Sequence, residues 1–178
     1  MVHFQETLKK GYLLNKRELP WRNTRDPYKI WLSEVVLQQT RVDQGKSYYL
    51  KFIKTFPTVS DLACASEQEV LSLWQGLGYY SRARNLHKAA IYIEKTLNGN
   101  FPKDYTSLLS LPGVGPYTAA AVASFSYGEP TAVVDGNVFR VLSRLYDIST
   151  AINSPKGLRE FKSLSQALIN RTDPATHN

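Results

Sequence analysis

Apolar residues recur at three- and four-residue spacing along most of the chain, so helical periodicity dominates it. Phe4, Leu8 and Tyr12 mark a first helix. Asp26 followed by Pro27 gives a cap and a first-turn proline, and opens the run IWLSEVVLQQT. Tyr48, Tyr49, Phe52 and Ile53 fall on a further helix that stops near Pro57, and Leu71 and Trp74 on a short one that stops at Gly76. Residues 81–97 place Leu86, Ala89, Ala90 and Ile93 on one face. Leu108 and Leu111 lead into a glycine turn, and a helix over 116–127 follows it. Val138, Val141, Leu142 and Leu145 repeat the helical spacing, and Ser154 with Pro155 opens a last helix that turns Phe161, Leu164 and Leu168 inward. The only strand-like run, 132–134, is too short to build a sheet. The pattern predicts an all-α protein of about ten short helices. The ending RTDPATHN (171–178) is polar and predicts no closing helix, which leaves a disordered tail or the cut end of a longer chain.

Composition narrows the partner more than the fold. The chain has 178 residues, enough for one or two domains with a proper core. Lys and Arg outnumber Asp and Glu by 22 to 15, and the net charge of +7 favours a polyanionic partner. The single cysteine, Cys64, excludes an internal disulfide and a thiolate metal cage, and reads as buried packing. His3, His87 and His177 lack ligand spacing, so no zinc site is expected. The sequence carries no phosphate-loop or dinucleotide fingerprint. MVHFQETLKKGYLL is amphipathic rather than a secretory signal, and no run is long and apolar enough to span a membrane. The expectation is an intracellular protein, cytoplasmic and nucleoid-associated if bacterial, with no membrane contact.

Candidate chemistry sits in four places. In LPGVGPYTAAAV (111–122), Gly113 and Gly115 supply backbone freedom and Pro116 fits a first helical turn. The stretch reads as a tight turn between helices whose exposed N–H groups suit an anion such as phosphate. Glu34 has Ile30, Trp31 and Leu37 among its helical neighbours. Either it faces solvent from a helix edge, or the helix is buried nearly all round and desolvation keeps its proton on near neutral pH. Asp135, in AVVDGNVFRVL, is a plain N-cap or an anion favoured by the helix N-terminus. One carboxyl placed to keep its proton and another placed to lose it meet the needs of glycosidic cleavage. Asn137 either caps the helix or orients one of these partners.

The stretch GLGYYSRARNLHKAA (76–90) reads as a solvated basic helix start, or as a loop offering an aromatic wedge to stacked bases with Arg82 and Arg84 as phosphate cations. One of Tyr79 and Tyr80 is expected in the core. Gln38, Gln39 and Thr40 form a frayed helix end, or donors and acceptors for base edges near the acid.

LPWR (19–22), PYKIWLSEVVLQQTRV (27–42), WQGLGYYSRARNLHKAA (74–90), LPGVGPYTAAAV and VVDGNVFRVL (133–142) together resemble the MutY-type adenine DNA glycosylases of the helix-hairpin-helix superfamily, in order and over nearly the whole chain. The resemblance implies that Gly113 and Gly115 grip a DNA phosphate. It implies that Glu34 protonates adenine N7, and that Asp135 stabilises the sugar cation with support from Asn137 and Tyr117. Tyr117 stands where bifunctional relatives carry a Schiff-base lysine, so base removal by water with little strand cutting is implied. Tyr79 would be the wedge beside oxidised guanine. Gln38, Gln39, Thr40 and Leu77 would surround the estranged and flipped bases, and Trp21 and Arg22 would belong to the pocket. The implied partner is double-stranded DNA with A:8-oxoguanine or A:G mispairs, bound by a monomer that flips the adenine out.

The implied architecture is a six-helix barrel over 20–128, with the helix-hairpin-helix at about 105–125. Residues 1–19 and 129–178 would form a second, incomplete helical domain. The family carries a 4Fe-4S cluster on four cysteines beyond the point where this sequence stops, which implies a partial chain. Two other readings stay open: a related glycosylase for mismatched thymine or an oxidised pyrimidine, and a DNA-binding module without catalysis.

Overall fold

The computed structural model describes residues 2–178, and the described residues are all helix, turn and coil. The helices are α1 (Val2–Asn15), α2 (Pro27–Leu37), α3 (Val42–Thr55), α4 (Val59–Cys64), α5 (Glu67–Trp74), α6 (Ser81–Leu97), α7 (Tyr105–Leu109), α8 (Pro116–Tyr127), α9 (Gly136–Leu145), α10 (Pro155–Leu168) and α11 (Pro174–His177), with a 3-10 turn at Pro20–Arg22.

Local chemistry starts most of them. The Asp26 side chain accepts from the Tyr28 N–H at 2.9 Å and Pro27 takes the first turn of α2. Thr58 and Ser66 build capping boxes with Asp61 and Glu69 at the starts of α4 and α5. α2 is then buried on almost every side: Ile30, Trp31, Leu32, Val35 and Val36 are all in the core. Each such side chain contributes about 1.5–3 kcal/mol on leaving water. Across from α2 lies α8, whose Ala119, Ala121 and Ala123 are fully buried and let the two helices approach closely. Phe52 meets Trp74 edge-on, with centroids 5.7 Å apart, in the same core. A separate apolar cluster joins Leu142 of α9 with Phe161 and Leu168 of α10, and Phe4 of α1 packs on it. The N-terminal helix therefore returns to the C-terminal part of the chain.

Three sequence expectations are corrected. Residues 171–178 do close on a short helix: Lys9 bridges to Asp173 at 2.8 Å, and Phe4 meets the His177 ring edge-on. Its four helical residues are too few and too polar to show a period. Cys64 is exposed at the end of α4, because the capping box turns Val59 and Leu62 inward instead. Tyr79 and Tyr80 both stay exposed, at 65% and 38%, because positive φ at Gly78 and Tyr79 swings the loop outward. Val141 and Leu145 share the apolar face of α9 with Leu142 and yet remain half exposed.

Candidate active site

Glu34 lies in the middle of α2, so the surrounding core fixes both its position and its hydration. Burial pushes its carboxyl up from 4.5 to about 7; the Tyr117 hydroxyl and the Arg22 charge work against this rise, and the Asp135 charge adds to it. Tyr117 is the second residue of α8, and burial followed by the Glu34 charge holds its phenol well above the ordinary value. Glu34 and Tyr117 face a cavity of about 430 Å³, within the usual range of small-molecule sites. Trp21 and Arg22, from the 3-10 turn, line the same cavity. Trp21 is held edge-on by Tyr49 at 5.2 Å, and the Arg22 guanidinium lies over the Tyr12 ring at 5.6 Å.

Asp135 is the N-cap of α9. It accepts from the backbone N–H groups of Asn137 and Val138 at 2.9 and 2.8 Å, and from the Asn137 side-chain amide at 2.9 Å. These bonds fix its rotamer. Asp135 is thus the N-cap, and the cap holds its carboxylate close enough to Glu34 and Tyr117 for both to respond to its charge.

The glycine turn joins α7 to α8. Gly113 has φ of +73°, and a Cβ there would come within 2.5 Å of the Asn85 side chain, so glycine is required. Gly115 differs from expectation. It caps α8 at φ −90° and a Cβ would meet nothing within 4 Å, so only an external group approaching the turn would need the space.

Arg82 is the main correction among the site residues. It is 9% exposed and offers no free charge to a phosphate. Its Nη1 donates to the carbonyls of Val35, Val36 and Gln38 at the end of α2, and its Nη2 to those of Leu77 and Gly78. The guanidinium stacks on Trp74 at 5.0 Å and under Tyr79 at 5.8 Å. It ties the end of the Glu34 helix to the tyrosine loop. Leu77 is likewise in the core, 8% exposed, rather than at a base-facing surface. The Tyr48 hydroxyl and the Gln44 amide of α3 donate to the carbonyls of Gln75 and Gly76, which anchors the loop that presents Tyr79. Arg84 is exposed and pairs with Glu67 at 3.4 Å. Gln38 reaches the Thr118 hydroxyl at 3.4 Å, Thr40 bonds back to the Gln38 carbonyl, and Gln39 is exposed with φ of +53°.

Sequence reasoning missed Tyr12, Arg17, Asp173 and Thr176, which form part of the cavity wall. They come from the two ends of the chain, and no local pattern links them. Among the described residues no group of three His, Cys, Asp or Glu could hold a metal ion, so these residues do not fit an iron-sulfur cluster. No described helix is long and apolar enough to cross a membrane.

Residues 32–167 match the family described as HhH-GPD superfamily base excision DNA repair protein. The adenine DNA glycosylase of Buchnera aphidicola subsp. Baizongia pistaciae is 42% identical over 149 residues, which are 84% of this chain and 42% of that protein. The adenine DNA glycosylase of Homo sapiens is 42% identical over 184 residues, 98% of this chain and 34% of that protein. The chain thus spans well under half the length of these curated relatives. A thermostable thymine-DNA glycosylase superposes with a TM-score of 0.89 at 30% identity, over 98% of this chain and 81% of that one. Endonuclease III from a non-covalent complex with DNA superposes at 0.80 and 24% identity, over 98% and 79%, which extends the fold likeness.

Proposed function

The chain belongs to the HhH-GPD superfamily of base excision DNA repair proteins, and on that premise we propose that it removes adenine from mispairs with 8-oxoguanine or guanine in duplex DNA. The observation that carries the reading is a pair of neighbouring carboxyl groups: Glu34, which lines the cavity and is raised to about 7 by burial, and Asp135, held by three donors near enough for Glu34 to feel its charge. The N-glycosidic bond is out of reach in a stacked duplex, so the adenosine must be extruded into the cavity. Glu34 donates its proton to N7. The bond between C1′ and N9 breaks with its electron pair going to the base, and Asp135 stabilises the oxocarbenium-like sugar. Water adds to C1′ and gives its proton to the Glu34 carboxylate. Tyr117 offers a phenol in place of an amine, so no Schiff base forms there and base removal comes with little strand cutting.

Duplex DNA is the proposed partner. The glycine turn at Gly113 and Gly115 takes a phosphate, and Tyr79 enters the stack from its anchored loop. Arg84 supplies surface charge, and Gln38, Gln39 and Thr40 face the bases. A division into a barrel over 20–128 and a second helical unit from 1–19 with 129–178 is supported by the separation of the largest apolar cluster from that of α9 and α10, while a small third cluster joins Ala120 and Ala121 to Val133 across the boundary. A 4Fe-4S cluster of the kind the resemblance implies would need ligands outside this sequence, and no step above passes through it.

The likeness to the thymine-DNA glycosylase supports a second substrate reading. Release of adenine opposite 8-oxoguanine or guanine, measured beside release of thymine opposite guanine, separates the two. Adenine release alone is expected. Thymine release alone would assign the cavity to a pyrimidine, and release of neither would leave a DNA-binding module.

A further inference from the structure

Asp135 follows residues 129–134, a segment outside any helix and with no strand beside it among the described residues. Buried or half-buried backbone groups need partners, and here two side-chain amides supply them. Gln166 of α10 donates from Nε2 to the Pro130 carbonyl at 2.6 Å and accepts from the Ala132 N–H at 3.0 Å. Asn178 donates from Nδ2 to the Thr131 carbonyl at 3.0 Å and accepts from the Val133 N–H at 3.0 Å. The two amides thus read alternate residues of the segment, as neighbouring strands would. Asn178 also donates to the Ser124 hydroxyl at 2.8 Å, on α8, the helix that carries Tyr117. Glu129 fixes the start of the segment through the Tyr105 N–H at 2.8 Å and the Thr131 hydroxyl at 2.9 Å.

We propose that Gln166 and Asn178 are positioning residues, a pair of amide clamps that set how far Asp135 reaches toward Glu34 and Tyr117. The geometry assigns them this work because both bond to the backbone of residues 130–133, which leads into Asp135, and neither bonds to Asp135 itself. Asn178 adds a direct link from that backbone to α8, which carries Tyr117. The inference rests on the proposed chemistry for its consequence, a slower bond-breaking step, and on geometry alone for the clamp.

The test uses the chain with Gln166→Ala, Asn178→Ala, both together, and Asp135→Asn. The Glu34 carboxyl is titrated by carbon-13 NMR without DNA. Glu34 is faced by Tyr117, Arg22 and Asp135, and of these only Asp135 raises its midpoint by charge. Asp135→Asn should therefore lower the midpoint by a few tenths of a pH unit, and the clamp variants should move it part of the way in the same direction. Single-turnover base release should fall by about tenfold to a hundredfold with duplex affinity unchanged, as expected when a reacting group is displaced by roughly 1 Å. Gln166→Met and Asn178→Leu keep bulk and remove the bonds, and carry the same readings where alanine unfolds the chain. A Glu34 midpoint and a release rate both at the unsubstituted values overturn the clamp. If the unsubstituted chain releases no base, the proposed reaction fails and the titration still decides the clamp.

Discussion

The Glu34 carboxyl rises from 4.5 to about 7 because the α2 core removes the water its charge would need. A carboxyl with a raised folded value binds its proton more tightly in the folded chain than in the unfolded one. Its contribution is fully present below pH 4.5 and is lost as pH rises through about 7, above which both states are ionised. The loss is about 3 kcal/mol over that interval. Glu34→Gln keeps the neutral shape at every pH. The variant should therefore match the parent in thermal unfolding near pH 4.5 and melt higher than it at pH 8, while releasing no base. Equal melting temperatures at pH 8 would mean that the carboxyl is not desolvated. The proposed reaction adds a second pH signature: release should decline as pH passes through about 7, since only protonated Glu34 can donate.

At the scale of elements, Arg82 has the largest consequence. One guanidinium joins the C-terminal turn of α2 to the Tyr79 loop through five carbonyls. Arg82→Ala strands those acceptors and should cost about 3 kcal/mol. That is a fall of roughly 6–12 °C in melting temperature for a chain of this size. Arg84→Ala, two residues on, breaks only an exposed pair and should change it little. Differential scanning calorimetry on the two variants checks both values.

The same pair shows what the sequence could reveal. The Asp26 cap, the proline starts and the apolar periods of α2, α3, α6, α8 and α10 were legible because each is a local rule. So were the positions of Glu34 on α2, of Asp135 at the start of α9 and of the glycine turn before α8. Arg82 and Arg84 are identical in type and sit two apart, and only tertiary packing on Trp74 makes one a buried strap. Cys64 and the tyrosine pair failed for a similar reason: exposure followed from a capping box and from left-handed backbone, and neither shows in hydrophobicity. The amide clamps were illegible because Gln166 and Asn178 look like ordinary polar residues until segment 129–134 is found without a strand beside it.

The whole molecule closes its cavity by bringing both ends of the chain to one wall. Tyr12 and Arg17 come from the N-terminal stretch, Asp173 and Thr176 from the tail, and Lys9 fastens the two at 2.8 Å. The net charge of +7 then acts at this same scale, as a field that draws in a polyanion. If duplex DNA is the partner, each phosphate neutralised contributes about 0.9 to the slope of log affinity against log salt concentration. The two arginines make the slope informative. Arg84 points to solvent and its pairing with Glu67 is weak, so Arg84→Ala should lower the slope by about one if it meets a phosphate. The Arg82 charge is spent on internal carbonyls. At a temperature where the variant stays folded, Arg82→Lys should leave the slope unchanged and weaken binding equally at every salt concentration, because it disturbs the tyrosine loop rather than a phosphate contact. Fluorescence anisotropy on one labelled duplex between low and moderate salt gives both slopes. A drop in slope for the Arg82 variant would mean that the strap opens on DNA and turns its charge outward.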